Sequence, residues 1–383
     1  MRDLQSQLED AHIVVCLGSG GVGKTTTAAA IGLVSAFAGR RTLVLTIDPS
    51  RRLADTLGLD AGSSKTQDVS FDSVHGSPLS MIPGEIKGMV LDTQATFDQL
   101  IHTYVADEDT RQRIFENRYY QNLSTTLAGS YAYMAMEKIY ELHQTGDYDL
   151  IVIDTPPSDN VLDFIDAPEQ IQQLMGNNAL LKFMKSNFKK GFLGMKVLSS
   201  LTAPMQRFMG SILGSQVITD LHEFLSLDDE RFRDGFVNRA RAVKKLLFSH
   251  DTVYVSVANP MKNPMREALL MYNRIKEENM RFGGFVINRV HDRFPASVGD
   301  RFMADCPSAL SKNLKNRLLE NFRQFEQIGR SDRTAINQLT ELVDPDSLII
   351  EIPYFEGDVV KFQDLMKMCA FFAQGASKEQ GGK

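Results

Sequence analysis

Cysteine is scarce in this sequence, and its spacing excludes two kinds of site. Cys16, Cys306 and Cys369 are the three cysteines among 383 residues, and none belongs to a C-x-x-C pair. Neither a zinc site nor a disulfide framework is indicated, which fits a reducing cytosol. Long apolar runs are also lacking: none reaches the ~18 residues that a membrane-spanning helix requires. The apolar stretch at 13–17 is too short for a signal peptide and leads directly into a glycine loop. Positive charge is not in excess either. The 42 Lys and Arg are outnumbered by 48 Asp and Glu, for a formal net charge of -6, which argues against bulk affinity for nucleic acid. These absences point to a cytoplasmic protein with no nucleic-acid partner.

What is present suffices for a sizeable core. The chain is 43% hydrophobic and 23% charged, ordinary for one large or two moderate globular domains. Short β-branched or leucine-rich runs at 12–17, 42–47, 150–154, 252–258, 282–288 and 347–352 read as buried parallel strands. Helical patterns such as those at 24–38, 263–279 and 359–372 separate them. Such alternation predicts an α/β fold, a doubly wound, mostly parallel sheet with helices on both faces. Three stretches interrupt it. Residues 88–144 read as helices running over one end of the sheet, 169–250 hold no convincing strand, and 291–345 read as an irregular insert.

The run Gly18-Ser-Gly20-Gly21-Val22-Gly23-Lys24-Thr25 fits G-x-x-x-x-G-K-[ST]. It follows a predicted strand and opens a predicted helix, the context a phosphate-binding loop requires. Glycines let successive backbone N–H groups turn toward phosphates, and the helix N-terminus adds partial positive charge. Residues Gly20, Gly21, Val22, Gly23, Lys24, Thr25 and Thr26 are the candidate cradle for a nucleotide's phosphates. Lys24 would neutralise β- and γ-phosphate charge, and the Thr25 hydroxyl would ligate Mg²⁺. The sequence contains one such loop and no internal repeat.

Two aspartates stand at predicted strand ends, Asp48 in Thr46-Ile-Asp-Pro-Ser and Asp154 in Ile151-Val-Ile-Asp-Thr-Pro-Pro-Ser. Ligands of open α/β sheets gather at such carboxyl ends. Asp154 would hold Mg²⁺, directly or through water, and Asp48 would orient an attacking water. The alternative for each is a cap on a turn before proline.

At these residues the sequence resembles the ArsA-like ATPases, which include the arsenite-pump ATPase and the eukaryotic targeting factor for tail-anchored membrane proteins. The resemblance rests on the loop at 18–26, on Thr46-Ile-Asp-Pro-Ser-Arg-Arg-Leu-Ala-Asp-Thr-Leu-Gly58, and on Asp154-Thr-Pro-Pro-Ser-Asp-Asn-Val-Leu-Asp-Phe164. Val286-Ile-Asn288-Arg289 and Ile352-Pro353-Tyr-Phe355 also fit, at the end of the fold that receives the nucleotide base. It implies a single-loop member of bacterial type, an Mg²⁺-dependent ATPase that dimerises with itself or with a paralogue. It further implies Asp48 and Lys24 as catalytic residues, Asn288 as reader of the adenine edge, and Arg289 and Pro353 beside the base. A strand-end cap is the alternative role for Asn288. The core would be one discontinuous nucleotide-binding domain, 10–168 with 250–372, bearing an insert subdomain at 169–249 and a disordered tail at 373–383.

The sequence departs from the family in three respects. The family usually has lysine after the first loop glycine, reaching across a dimer to the partner's nucleotide; here the residue is Ser19. Activity would then be low, or Arg51 or Arg52 would substitute, or a paralogous partner would supply the cation. The C-x-x-C clasp of the eukaryotic targeting dimer is missing, and the cysteines do not form an arsenite-binding set.

Residues 171–219 contain six Lys or Arg and no Asp or Glu, interleaved with Met175, Met184, Met195, Met205 and Met209. Such a basic, methionine-rich segment suits a hydrophobic client or a membrane surface, including the inner face of the membrane. The alternative is a helical subdomain packing its apolar stripe into its own core or a dimer interface. Residues 117–126, polar and aromatic, read either as a capped helix start or as a ligand-facing segment.

Overall fold

The computed structural model describes residues 4–47, 52–60, 63, 65–69, 82–105, 107–116, 128–156, 165–169, 172, 230–294, 298, 301, 310–355, 357, 359 and 362–373. The chain begins with α1 (Leu4–Leu8), β1 (Ile13–Leu17), α2 (Lys24–Phe37), β2 (Arg41–Thr46) and α3 (Arg52–Leu57). It continues through β3 (Gln67–Asp68), β4 (Glu85–Val90), α4 (Thr93–Tyr104), α5 (Glu108–Glu116), α6 (Ala128–Thr145) and β5 (Leu150–Asp154). The rest comprises α7 (Glu230–Leu247), β6 (Thr252–Ala258), α8 (Lys262–Glu277), β7 (Arg281–Val290), α9 (Lys312–Leu342), β8 (Ile349–Pro353) and α10 (Phe362–Ala373).

The strands form one sheet in the order β3-β4-β2-β5-β1-β6-β7-β8. Every neighbouring pair is parallel except β3 with β4, which is antiparallel. This is the mostly parallel α/β fold expected of a P-loop nucleoside triphosphatase. The central strands β1, β5 and β6 are buried along their whole length, as strands covered on both faces must be. Alternation along β1 feeds two separate cores. Val14 and Cys16 pack with α1, α2, α3 and α10, whereas Ile13, Val15 and Leu17 pack with α6, α7 and α8.

The expected strands lie within a residue or two of those observed, with two additions. Residues 85–90, whose last three were expected to open a helical stretch, form β4 beside β2. The run Glu-Ile-Lys-Gly-Met-Val is only half apolar because β4 lies near the sheet edge, so it carries no continuous hydrophobic signal. The other addition is the two-residue edge strand β3.

The stretch 291–345, expected to be irregular, contains the 31-residue helix α9, started by Ser311, whose side chain accepts from the Leu314 N–H. Only its second half, from Glu326 onward, includes buried residues; the first half nonetheless spaces Leu314, Leu318, Phe322 and Phe325 along one helical face. Helix α7 packs Val243, Leu246 and Leu247 into the sheet's own core, so this part of 169–249 shares the core of the sheet. Residues 117–126 and the tail beyond 373 lie outside the described residues, as does 171–219 apart from position 172. Among the described residues, no helix is long and apolar enough to cross a membrane.

Candidate functional site

The site forms where β1, β2 and β5 end together. Parallel register sets Cys16 of β1 and Thr46 of β2 both opposite Asp154 of β5. The loop after β1 and the segment after β2 therefore emerge on either side of that carboxylate. The backbone knits the three ends together: Ile47 N–H donates to the Asp154 carbonyl at 2.9 Å, and Thr155 Oγ1 donates to the Cys16 carbonyl at 2.7 Å.

From β1 the chain turns through the phosphate loop into α2. Gly23, the residue before the helix, has φ 100° and offers no side-chain cap. The first N–H groups of α2 therefore keep their direction toward an anion. Lys24 is buried, and its Nζ donates to the Ser19 carbonyl at 2.8 Å. Two neighbouring strands brace the loop. A Cβ on Gly18 would meet the Val257 carbonyl oxygen of β6 at 2.2 Å. Asn288 Nδ2, from β7, donates to the Val22 carbonyl at 2.9 Å.

The Thr25 hydroxyl donates to Asp154 Oδ2 at 2.8 Å, and the Thr46 hydroxyl donates to the same oxygen at 3.0 Å. Asp154 and Thr46 are each 1% exposed. Hydroxyl and carboxylate oxygens are hard donors, the set Mg²⁺ prefers over softer metals, so Thr25 and Asp154 fit the ion that the loop implies. The carboxylate's field reaches its surroundings. Burial first, then the nearby Asp154 charge, push the Cys16 thiol far above its ordinary range. Among the described residues, no cluster of three or more His, Cys, Asp or Glu could hold a metal.

The candidate base-binding residues share one end of the fold. Pro353 pairs with Val290 across β8 and β7, and Tyr354 N–H donates to the Val290 carbonyl at 2.9 Å. Arg289 has φ 61° and donates its N–H to Asn288 Oδ1 at 2.9 Å. Each side of the Asn288 amide is thus engaged once, leaving capacity for one more bond on each side. Asp48 and Arg51 lie outside the described residues, and Arg52 opens α3. The structure thus gathers Lys24, Thr25, Asp154 and Asn288 around the loop, with Arg289 and Pro353 one step outward.

Sequence reasoning missed two participants, Thr46 and Glu267, and one contact between residues it had named. Thr46 sat in a strand pattern and carried no mark beyond lying two residues before Asp48. The contact of Asn288 with Val22 needed β7 placed beside the loop. Glu267 on α8, which accepts a hydrogen bond from the Ser19 hydroxyl, has no motif around it.

A parallel sheet with its phosphate loop at the end of a central strand defines the class of P-loop nucleotide-binding proteins. More specifically, the chain belongs to the family described as Anion-transporting ATPase, whose profile matches residues 11–372. It is 24% identical over 197 residues to "ATPase get3" of Schizosaccharomyces pombe, covering 51% of this chain and 50% of that one. It is 23% identical over 281 residues to "ATPase ASNA1 homolog" of Entamoeba dispar, covering 71% and 74%. With "Putative arsenical pump-driving ATPase" of Halobacterium salinarum it shares 28% over 178 residues, covering 46% and 26%. The chain spans about half the length of the first curated relatives it matches.

Proposed function

We propose that this chain is a cytoplasmic, Mg²⁺-dependent ATPase that acts as a conformational switch. The observation that carries the reading is the convergence of the Thr25 and Thr46 hydroxyls on Asp154 Oδ2, beside the loop that presents Lys24. Backbone N–H groups of 20–26 and the α2 N-terminus hold the phosphates, and Lys24 offsets their charge. Thr25 and Asp154 hold Mg²⁺, which when bound neutralises charge on the β- and γ-phosphate oxygens. Asp48 orients the attacking water, and Asn288, Arg289 and Pro353 flank the base. ATP closes a dimer, and hydrolysis relaxes the segments after Asp48 and Asp154. The segment 171–219 transmits the change to a hydrophobic client or a membrane surface.

Ser19 favours a second reading, in which the chain binds ATP but turns it over weakly until a paralogous partner supplies a cation. Mg²⁺-dependent hydrolysis measured across a wide protein-concentration range separates the two, with Lys24→Ala as control. Turnover per chain that rises with concentration and vanishes in the control supports a self-sufficient dimeric ATPase. Tight ATP binding with negligible turnover at every concentration supports the second reading. No ATP binding at all overturns both.

A further inference from the structure

Glu267 places a carboxylate against a loop built to receive anions. The Ser19 hydroxyl donates to Glu267 Oε2, and the Ser19 carbonyl accepts from Lys24 Nζ at 2.8 Å. Ser19 therefore links the acidic side chain of α8 to the phosphate-neutralising lysine. The same turn presses on β6, where the Val257 carbonyl leaves no room for a Cβ on Gly18. The strand and the helix that follows it thus grip the first half of the loop, as β7 grips the second half through Asn288. Position 19 supplies a hydroxyl, which satisfies one carboxylate lone pair but brings no positive charge to offset Glu267. A carboxylate near a phosphate site raises the cost of admitting an anion, an effect that salt screens where solvent reaches the pair.

We infer that Glu267 is a positioning residue that holds the first turn of the phosphate loop through Ser19, and that its charge sets how tightly the site admits a nucleotide's phosphate chain. The inference rests on the nucleotide reading above for its second part only. Two substitutions separate tether from charge. Glu267→Gln keeps an acceptor oxygen for Ser19 and removes the charge; Glu267→Ala removes both.

The test is titration of the full chain with a fluorescent ATP analogue at low and high salt, alongside steady-state hydrolysis and amide hydrogen exchange of residues 18–23. E267Q is expected to bind about three- to tenfold more tightly at low salt, with the gain shrinking as salt rises. Its kcat should stay within about twofold of the wild type, so the effect falls on binding rather than on the chemical step. E267A and Ser19→Ala are expected to speed loop exchange about tenfold without nucleotide, while E267Q leaves it near the wild-type rate. Equal affinity of E267Q and the wild type at both salt concentrations overturns the charge effect. Unchanged exchange in E267A and S19A overturns the tether. A wild type that binds no nucleotide overturns the nucleotide reading and the charge effect with it, while the exchange measurements still decide the tether.

Discussion

Asn288 Nδ2 occupies the space a side chain at Gly23 would need: a Cβ built on Gly23 falls 2.2 Å from it. The same nitrogen donates to the Val22 carbonyl, so β7 is locked to the phosphate loop just before α2 begins. Gly23 also has φ 100°. Gly23→Ala therefore meets two penalties, a clash and about 1–3 kcal/mol of backbone strain. It should abolish nucleotide binding and lower the urea midpoint. Gly21 has φ 77° with nothing within 4 Å of its added Cβ, so Gly21→Ala should lose only about 1–2 kcal/mol. Adding Asn288→Ala to Gly23→Ala should restore part of the stability by removing the clash alone. Equal losses at the two glycines would contradict this account.

The shared oxygen of Asp154 leads to a second prediction. Thr46→Val removes a buried hydroxyl that donates to Oδ2, while Thr25 remains. The fold should lose about 1 kcal/mol. The Mg²⁺ concentration for half-maximal ATP turnover should rise several-fold as the carboxylate loses one of its anchors. Asp154→Asn should lower Mg²⁺-dependent turnover by about 10²-fold or more. Unchanged Mg²⁺ dependence in both variants would remove Asp154 from the metal site.

Much of this arrangement was legible in the chain because its signals are local. Leu17 into Lys24 is strand, glycine loop and helix in eight consecutive residues, and the fully buried strands are rich in apolar and β-branched residues. What escaped depends on neighbours distant in sequence. Glu85 and Lys87 interrupt the apolar residues of Glu85–Val90, which lies near a sheet edge, and α9 buries residues only from Glu326 onward. The Ser19–Glu267 and Asn288–Val22 contacts join residues 248 and 266 positions apart. They exist only once strand order puts β6 beside β1 and β7 beside β6, and no spacing rule reads that order from one chain.

The buried thiols provide a third test. Cys16 lies within β1, and Cys369 on α10 packs against α2 with its Sγ donating to the Ala30 carbonyl at 3.7 Å. Burial pushes the Cys369 thiol up to about 12 and raises Cys16 further. Neither yields appreciable thiolate, the reactive species, at neutral pH. In a Cys306→Ser variant, a thiol-specific dye should label neither residue in the native state and both after denaturation. Rapid native labelling of Cys369 would show that α10 leaves α2 far more often than this packing implies.

The seam between α6 and α7 yields a prediction with a definite pH sign. Glu137 is 1% exposed, ion-paired to Arg239, which also lies 4.2 Å over the Tyr140 ring. Burial is the largest influence on this carboxyl and raises its pKa above 4.5; Arg239 opposes the rise without cancelling it. Below 4.5 the carboxyl is protonated in the folded and unfolded states alike, and nothing is lost. As pH climbs from 4.5 through the raised folded value, the unfolded chain releases the proton first, so stability falls across that window and then levels. Glu137→Gln, which cannot ionise, should lack this fall and gain relative to the wild type as pH rises. Arg239→Met leaves a buried carboxylate without its cation and should cost about 3–5 kcal/mol at neutral pH. Combining the two substitutions should recover most of that loss. Urea denaturation from pH 4.5 to 8 checks all three variants. A wild type that gains stability relative to Glu137→Gln over this range would mean that Arg239, not burial, dominates the site.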